Sequence, residues 1–128
     1  MAVIDFFDRG WRLNSDAIAF IQDEQPFTYR EVGGLSCSIA NKLFSLGLPK
    51  ETKGAVWATN DVTAWTCTLG LWRANMTWIP VNARTSAAEN EQMLNSFDCE
   101  VMFFQQQFAE VLADMRSRLP CIRHWVCI

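Results

Sequence analysis

Leu71–Arg84 reads LWRANMTWIPVNAR, and the order of residue types in it decides the architecture. Leu71 and Trp72 close an apolar helical pattern. Asn75 is a residue that tolerates the left-handed conformation of a helix end. Thr77–Pro80 is a short strand-like run, and Pro80, lacking an N–H, is expected to end its ladder. Polar Asn82 and basic Arg84 lead into Ser86-Ala87-Ala88-Glu89, where Ser and Glu three apart form a capping box. The stretch therefore predicts a helix, a stop, a buried strand, a turn and a second capped helix.

The same grammar extends both ways. Upstream, Gly54–Ala58 (GAVWA) is apolar, too short for a helix and bounded by turn residues, so it predicts a buried strand. Asn60-Asp61 opens a helix on which Val62, Trp65, Leu69 and Trp72 share a face. Thr28 and Glu31 make an earlier capping box, followed by Val32, Leu35, Ile39, Leu43 and Leu46 as one buried stripe. Gly47 is placed to stop that helix. Gly33-Gly34 inside it costs about 1 kcal/mol per glycine against alanine, so another backbone is expected to approach closely there. A phosphate-binding role is not expected, because no strand precedes the pair in a G-x-G-x-x-G context. Ile4–Leu13 predicts a short amphipathic helix. Ala17–Ile21 and Pro26–Thr28 predict a hairpin around the polar Gln22–Gln25.

Downstream, Met93, Leu94 and Phe97 mark the core side of the second capped helix. Glu100–Phe104 reads as a strand, Gln106–Leu119 as a helix and Arg123–Ile128 as a last strand. Strands alternating with helices call for an α/β fold: a parallel sheet with flanking helices and right-handed crossovers, plus an N-terminal β-hairpin. No linker, repeat or low-complexity tract divides residues 1–128.

Composition excludes several classes. Half of the 128 residues are hydrophobic and 20% are charged, which is globular rather than disordered. The net charge of −3, with no cluster of Lys and Arg alternating with aromatics, offers nothing to nucleic acid. No run approaches the roughly 18 apolar residues of a membrane span. Asp5 and Asp8 break any signal-peptide core. A cytoplasmic protein is expected.

Five cysteines without tight spacing read as buried thiols rather than a disulfide framework. Cys121, His124 and Cys127 have the one metal-like spacing, C-x2-H-x2-C. Strand alternation, however, sets His124 on the opposite face from both cysteines. Six tryptophans are many for this length. They read either as core or as part of a surface that another domain should cover.

Leu71–Arg84 resembles the second core motif of the adenylate-forming enzymes, L-(K/W)-(A/R)-A-G-A-x-x-(V/I)-P-(L/V)-(N/D)-P-R. Phe27–Val32 resembles their first, (L/F)-(T/S)-Y-x-E-(L/V). Ile39–Leu48, Thr85–Phe97 and Ile122–Ile128 resemble the segments that follow each motif and the later strand, so the likeness runs nearly end to end. Asn60 falls where acyl-CoA synthetases usually carry Asn. Asn75 stands where Gly is usual, Ala83 where Pro is common, and Thr59 where Pro often precedes Asn60.

The resemblance implies that residues 1–128 are a partial N-terminal subdomain of an AMP-dependent synthetase/ligase. Asn82 followed by Arg84 is similar to acyl-CoA synthetases; amino-acid-activating domains more often have Asp at the position of Asn82. The implied activity is that of a fatty-acid–CoA ligase or its aryl counterpart, within fatty acid metabolism: a carboxylic acid is activated with ATP and transferred to CoA. An amino-acid-activating fragment, or a naturally short non-enzymatic interaction module, stands as the alternative. The family's Ser/Thr/Gly-rich loop with Lys, its ribose- and Mg²⁺-placing acids and its mobile lysine have no counterpart here. No residue is therefore expected to be catalytic, cofactor-binding or metal-binding. ATP, Mg²⁺ and CoA are implied for the parent enzyme, and none is expected to bind this piece, which should be inactive alone. The expected partner is the remainder of the synthetase, or a second copy through the face left exposed. Arg84 is the best candidate for a functional surface residue; the structural reading is an arginine pairing a helix end or a carboxylate.

Overall fold

The computed structural model describes residues 1–128. Helix α1 spans Ile4–Leu13, the hairpin strands β1 Ile18–Gln22 and β2 Gln25–Thr28, and α2 Tyr29–Ser45. Then come β3 Lys53–Ala58, α3 Val62–Arg73, β4 Thr77–Asn82, α4 Ala87–Ser96, β5 Val101–Phe104, α5 Ala109–Met115 and β6 His124–Cys127. Strands β3 to β6 form one parallel sheet in the order β4-β3-β5-β6. The predicted α/β class, parallel sheet and N-terminal hairpin are all present.

Strand alternation sends the sheet's side chains to two cores. Val56, Val101 and Phe103 meet Ala40 and Leu43 of α2 and Cys67 and Leu71 of α3. Ala55, Trp57 and Met102 meet Leu94 of α4 and Leu112 and Met115 of α5 on the other face. A smaller cluster of Ile4, Val32 and Leu69 ties α1 to α2 and α3, with Phe20 and Phe27 of the hairpin packed against it.

The caps form as the sequence predicts. Thr28 Oγ1 accepts from Glu31 N and the Glu31 carboxylate accepts from Thr28 N at 2.8 Å. Ser86 and Glu89 repeat the arrangement on α4. Gly47 and Asn75 both take positive φ, 67° and 58°, as the helix stops require.

Several expectations need correction. β4 does not end at Pro80 but pairs with β3 through Asn82. Thr77 N donates to Thr52 O at 3.0 Å, so odd positions of β4 face β3 and Pro80 faces the free edge, where its missing N–H removes no bond. The stripe of α2 excludes Leu35, which is 45% exposed, and includes Ser36, which is fully buried. The close approach at Gly33 is made by the Trp11 ring rather than a backbone: an added Cβ would lie 2.5 Å from it. Gly34 faces open space. Phe97 is 51% exposed. Gln106–Leu119 is not one helix; α5 is flanked by 3-10 turns at Gln106–Phe108 and Arg116–Arg118. No helix is long and apolar enough to cross a membrane.

Candidate functional site

A cleft of about 420 Å³ opens at the carboxyl ends of β3 and β4, beside the start of α3 and under β1. Crevices outside the carboxyl ends of parallel strands are where α/β sheets bind ligands. Trp65 of α3 and Trp78 and Pro80 of β4 line one side, and Phe20 and Ile21 of β1 line the other. Trp65, Trp72 and Trp78 meet pairwise edge-to-face, with ring centroids 5.6–5.9 Å apart and planes 86–89° apart. This edge-to-face arrangement is the one the ring quadrupoles favour. Trp65 remains 36% exposed, and the buried Nε1 of Trp78 has no hydrogen-bond partner.

The polar end of the cleft is occupied by its own chain. Asp61 caps α3 by accepting from Ala64 N at 2.9 Å. Gln22 Oε1 accepts from Val62 N at 2.6 Å while Gln22 Nε2 donates to Asp61 Oδ2 at 3.2 Å. Gln105 Oε1 accepts from Thr59 N at 2.9 Å. The N–H groups of Val62 and Ala64 in the first turn of α3 are thus already satisfied, and neither Lys nor Arg lines the cleft. A triphosphate needs cations beside its donors, and no cation lines this site.

The motif residues stand just beyond it. Asn82 Oδ1 accepts from Arg84 N at 2.9 Å, closing a turn of the kind Asn forms with the backbone two residues on. The Asn82 carbonyl accepts from Thr85 N and from Nδ2 of the buried Asn90. Asn82 is therefore the residue that turns β4 into the capped α4. The Arg84 guanidinium is exposed and makes no ion pair, so neither a helix end nor a carboxylate holds it. Asn60 sits on the cleft rim.

His124 and Cys127 lie three apart on β6 and so on opposite faces. Cys127 Sγ is 3.1 Å from Gln106 Oε1, and Cys121 Sγ is 3.7 Å from Asp98 Oδ1. No three His, Cys, Asp or Glu groups converge to hold a metal. Burial pushes the thiols of Cys67 and Cys99 up to about 12, which makes them inert.

The cleft residues Gln22, Asp61, Trp65 and Trp78 were not readable as one site. The surplus of tryptophan was the only signal, and it carries no register.

The family described as AMP-binding enzyme matches residues 7–127. A stretch of 83 residues, 65% of the chain, is 34% identical to nonribosomal peptide synthetase agiA of Aspergillus flavus, and covers 1% of that protein. Over 122 residues, 93% of the chain, it is 29% identical to 3-[(3aS,4S,7aS)-7a-methyl-1,5-dioxo-octahydro-1H-inden-4-yl]propanoyl:CoA ligase of Mycobacterium tuberculosis, covering 24% of it. It is 24% identical to the 4-hydroxybenzoate–CoA/benzoate–CoA ligase of Rhodopseudomonas palustris over 128 residues, 24% of that ligase. The fold superposes on the anthranilate CoA ligase AuaEII with a TM-score of 0.93, covering all of this chain and 25% of that one at 20% identity. It superposes on a Mycobacterium tuberculosis fatty acyl CoA synthetase with a TM-score of 0.89, covering 99% of this chain and 26% of that one at 18% identity. The chain thus spans about a quarter, or far less, of these relatives, and it belongs to the AMP-binding enzyme family of adenylate-forming ligases.

Proposed function

We infer that this chain is the N-terminal scaffold of an acid–CoA ligase. The parent enzyme joins a carboxylic acid, fatty or aryl, to the α-phosphoryl of ATP with release of pyrophosphate. The acyl group then passes to the CoA thiol with release of AMP. The observation that carries this reading is coverage: likeness to the two CoA ligases runs over 93% and 99% of the chain, against 65% for the synthetase agiA. Asn82 in place of the Asp more frequent in amino-acid-activating domains supports the same choice. The second reading is amino-acid activation, favoured by the 34% identity to the synthetase.

The lining of the cleft does not favour ATP, Mg²⁺ or CoA. The cleft offers one carboxylate, already used as a cap, and no cation. Those groups are assigned to the rest of the parent protein. The contribution of this chain is a rigid sheet with helices on both faces and a tryptophan wall. The reading is tested with a hybrid in which this chain replaces the matching residues of the Rhodopseudomonas palustris ligase. The expected result is benzoate-dependent ATP–pyrophosphate exchange and benzoyl-CoA formation. A hybrid that melts cooperatively and binds ATP but shows no exchange would overturn it.

A further inference from the structure

Helix α1 packs on α2 and α3 through Ile4, Val32 and Leu69, and those two helices in turn cover one face of the sheet. Helical spacing puts Ile4, Phe7 and Trp11 on the inner side of α1 and Phe6, Arg9 and Leu13 on the outer side, with Val3 at its start. The outer side is apolar where a solvated helix would be polar. Val3 is 58% exposed, Phe6 68% and Leu13 78%. One exposed apolar side chain is ordinary, but here three share a face.

The charges of α1 divide by sign. Asp8 is held by Arg73 of α3, and Asp5 accepts from Ala2 N at 2.7 Å. Arg9 and Arg12 are exposed, and neither joins an ion pair. Both acids thus have partners within the chain, while both cations stand free beside Phe6 and Leu13. The Tyr29 ring borders the same face at Gly10, an aromatic with an apolar body and a polar tip. In a chain of net charge −3, this face is locally apolar and basic.

We propose that the outer face of α1 lies on an anionic lipid surface. Phe6 and Leu13 enter the boundary between headgroups and acyl chains, and Arg9 and Arg12 meet the lipid anions. Large apolar residues flanked by free cations are what hold a helix in the plane of such an interface, and long arginine side chains reach the headgroups while their stems stay apolar. A second copy of the chain fits less well, because two-fold pairing of α1 would crowd the free arginines of both copies.

The test is flotation of the whole 128-residue chain with vesicles of phosphatidylcholine alone or of equal parts phosphatidylcholine and phosphatidylserine. The chain should float with the anionic vesicles only, and less as salt is raised. Arg9→Gln with Arg12→Gln should weaken that binding about thirtyfold, two basic residues being removed from an anionic surface. Phe6→Ser with Leu13→Ser should abolish it while leaving the thermal melt unchanged, because both side chains are exposed. Lys42→Gln with Lys50→Gln, the same loss of charge away from α1, should leave it unchanged. Three results would overturn the proposal: equal flotation with both vesicles, flotation that the α1 variants do not alter, or no flotation together with a dimer that Phe6→Ser and Leu13→Ser dissociate. The last would assign the face to a second copy.

Discussion

Arg73 of α3 grips Asp8 of α1 with two hydrogen bonds, Nη1 to Oδ2 at 2.9 Å and Nη2 to Oδ1 at 2.6 Å. The same guanidinium donates from Nε to Ser36 Oγ at 3.2 Å and lies 5.8 Å from the Trp11 ring centre. One side chain thus joins three helices. Both ends of the pair are mostly shielded, with 17% and 21% of the side chains exposed, so it should count for more than a surface pair. Asp8→Ala is expected to lower stability by about 1–3 kcal/mol, read from the urea midpoint. A double-mutant cycle with Arg73→Leu should give a coupling of about 1 kcal/mol; independent effects would deny the clasp.

Helix α3 crosses α2 where Gly70 faces Ile39. A Cβ at Gly70 would overlap Ile39 Cγ2 and sit 2.8 Å from its branched Cβ, which has little freedom to move away. Gly70→Ala should therefore cost about 1–3 kcal/mol through overpacking. Gly34→Ala should do the opposite. Its added methyl meets nothing within 4 Å, and the helix gains about 0.5–1 kcal/mol. Thermal melts of the two variants should move in opposite directions.

The two capping carboxylates set an acid limit. Hydrogen bonds from the Thr28 backbone and hydroxyl hold Glu31 below its usual value of 4.5, and those from Ser86 do the same for Glu89. A carboxylate whose folded pKa is depressed stabilises the fold above its unfolded pKa and loses that effect as pH falls through the folded value. Stability should hold from neutrality to about pH 4.5 and then decline. Glu31→Gln with Glu89→Gln should flatten that decline. An unchanged acid slope would contradict the caps' ionic role.

Thiol reactivity should divide the five cysteines. Cys127 is exposed, whereas Cys67 and Cys99 are buried, with thiols pushed up to about 12. An aromatic disulfide reagent at pH 8 should label Cys127 rapidly and reach Cys67 and Cys99 only after denaturation. Cys127→Ser should remove the fast phase. Rapid native labelling of Cys67 or Cys99 would contradict the packing of both cores.

The elements whose signals are local were legible before the structure. Two Ser/Thr-x-x-Glu boxes, the Gly47 and Asn75 stops and the run from Leu71 to Arg84 each act within a few residues. What failed depends on partners far along the chain. Pro80 keeps its strand because β4 lies at an edge, which strand order alone reveals. Leu35 is exposed and Ser36 is buried, with its hydroxyl accepting from Arg73, 37 residues along the chain. The hairpin turn places Asp23 and Glu24 at φ 49° and 64° without the Asn or Gly that would announce it. The cleft is built from β1, β3, α3 and β4 together, so no one stretch spells it.

The central claim is that this chain provides the framework of an adenylate-forming ligase and none of its reacting groups. The most direct measurement is ATP–pyrophosphate exchange by the 128-residue chain alone, with fatty, aryl and amino acids and Mg²⁺. The account predicts exchange at the level of the protein-free blank for every acid. Acid-dependent exchange above that blank, retained by chain purified to homogeneity, would contradict it.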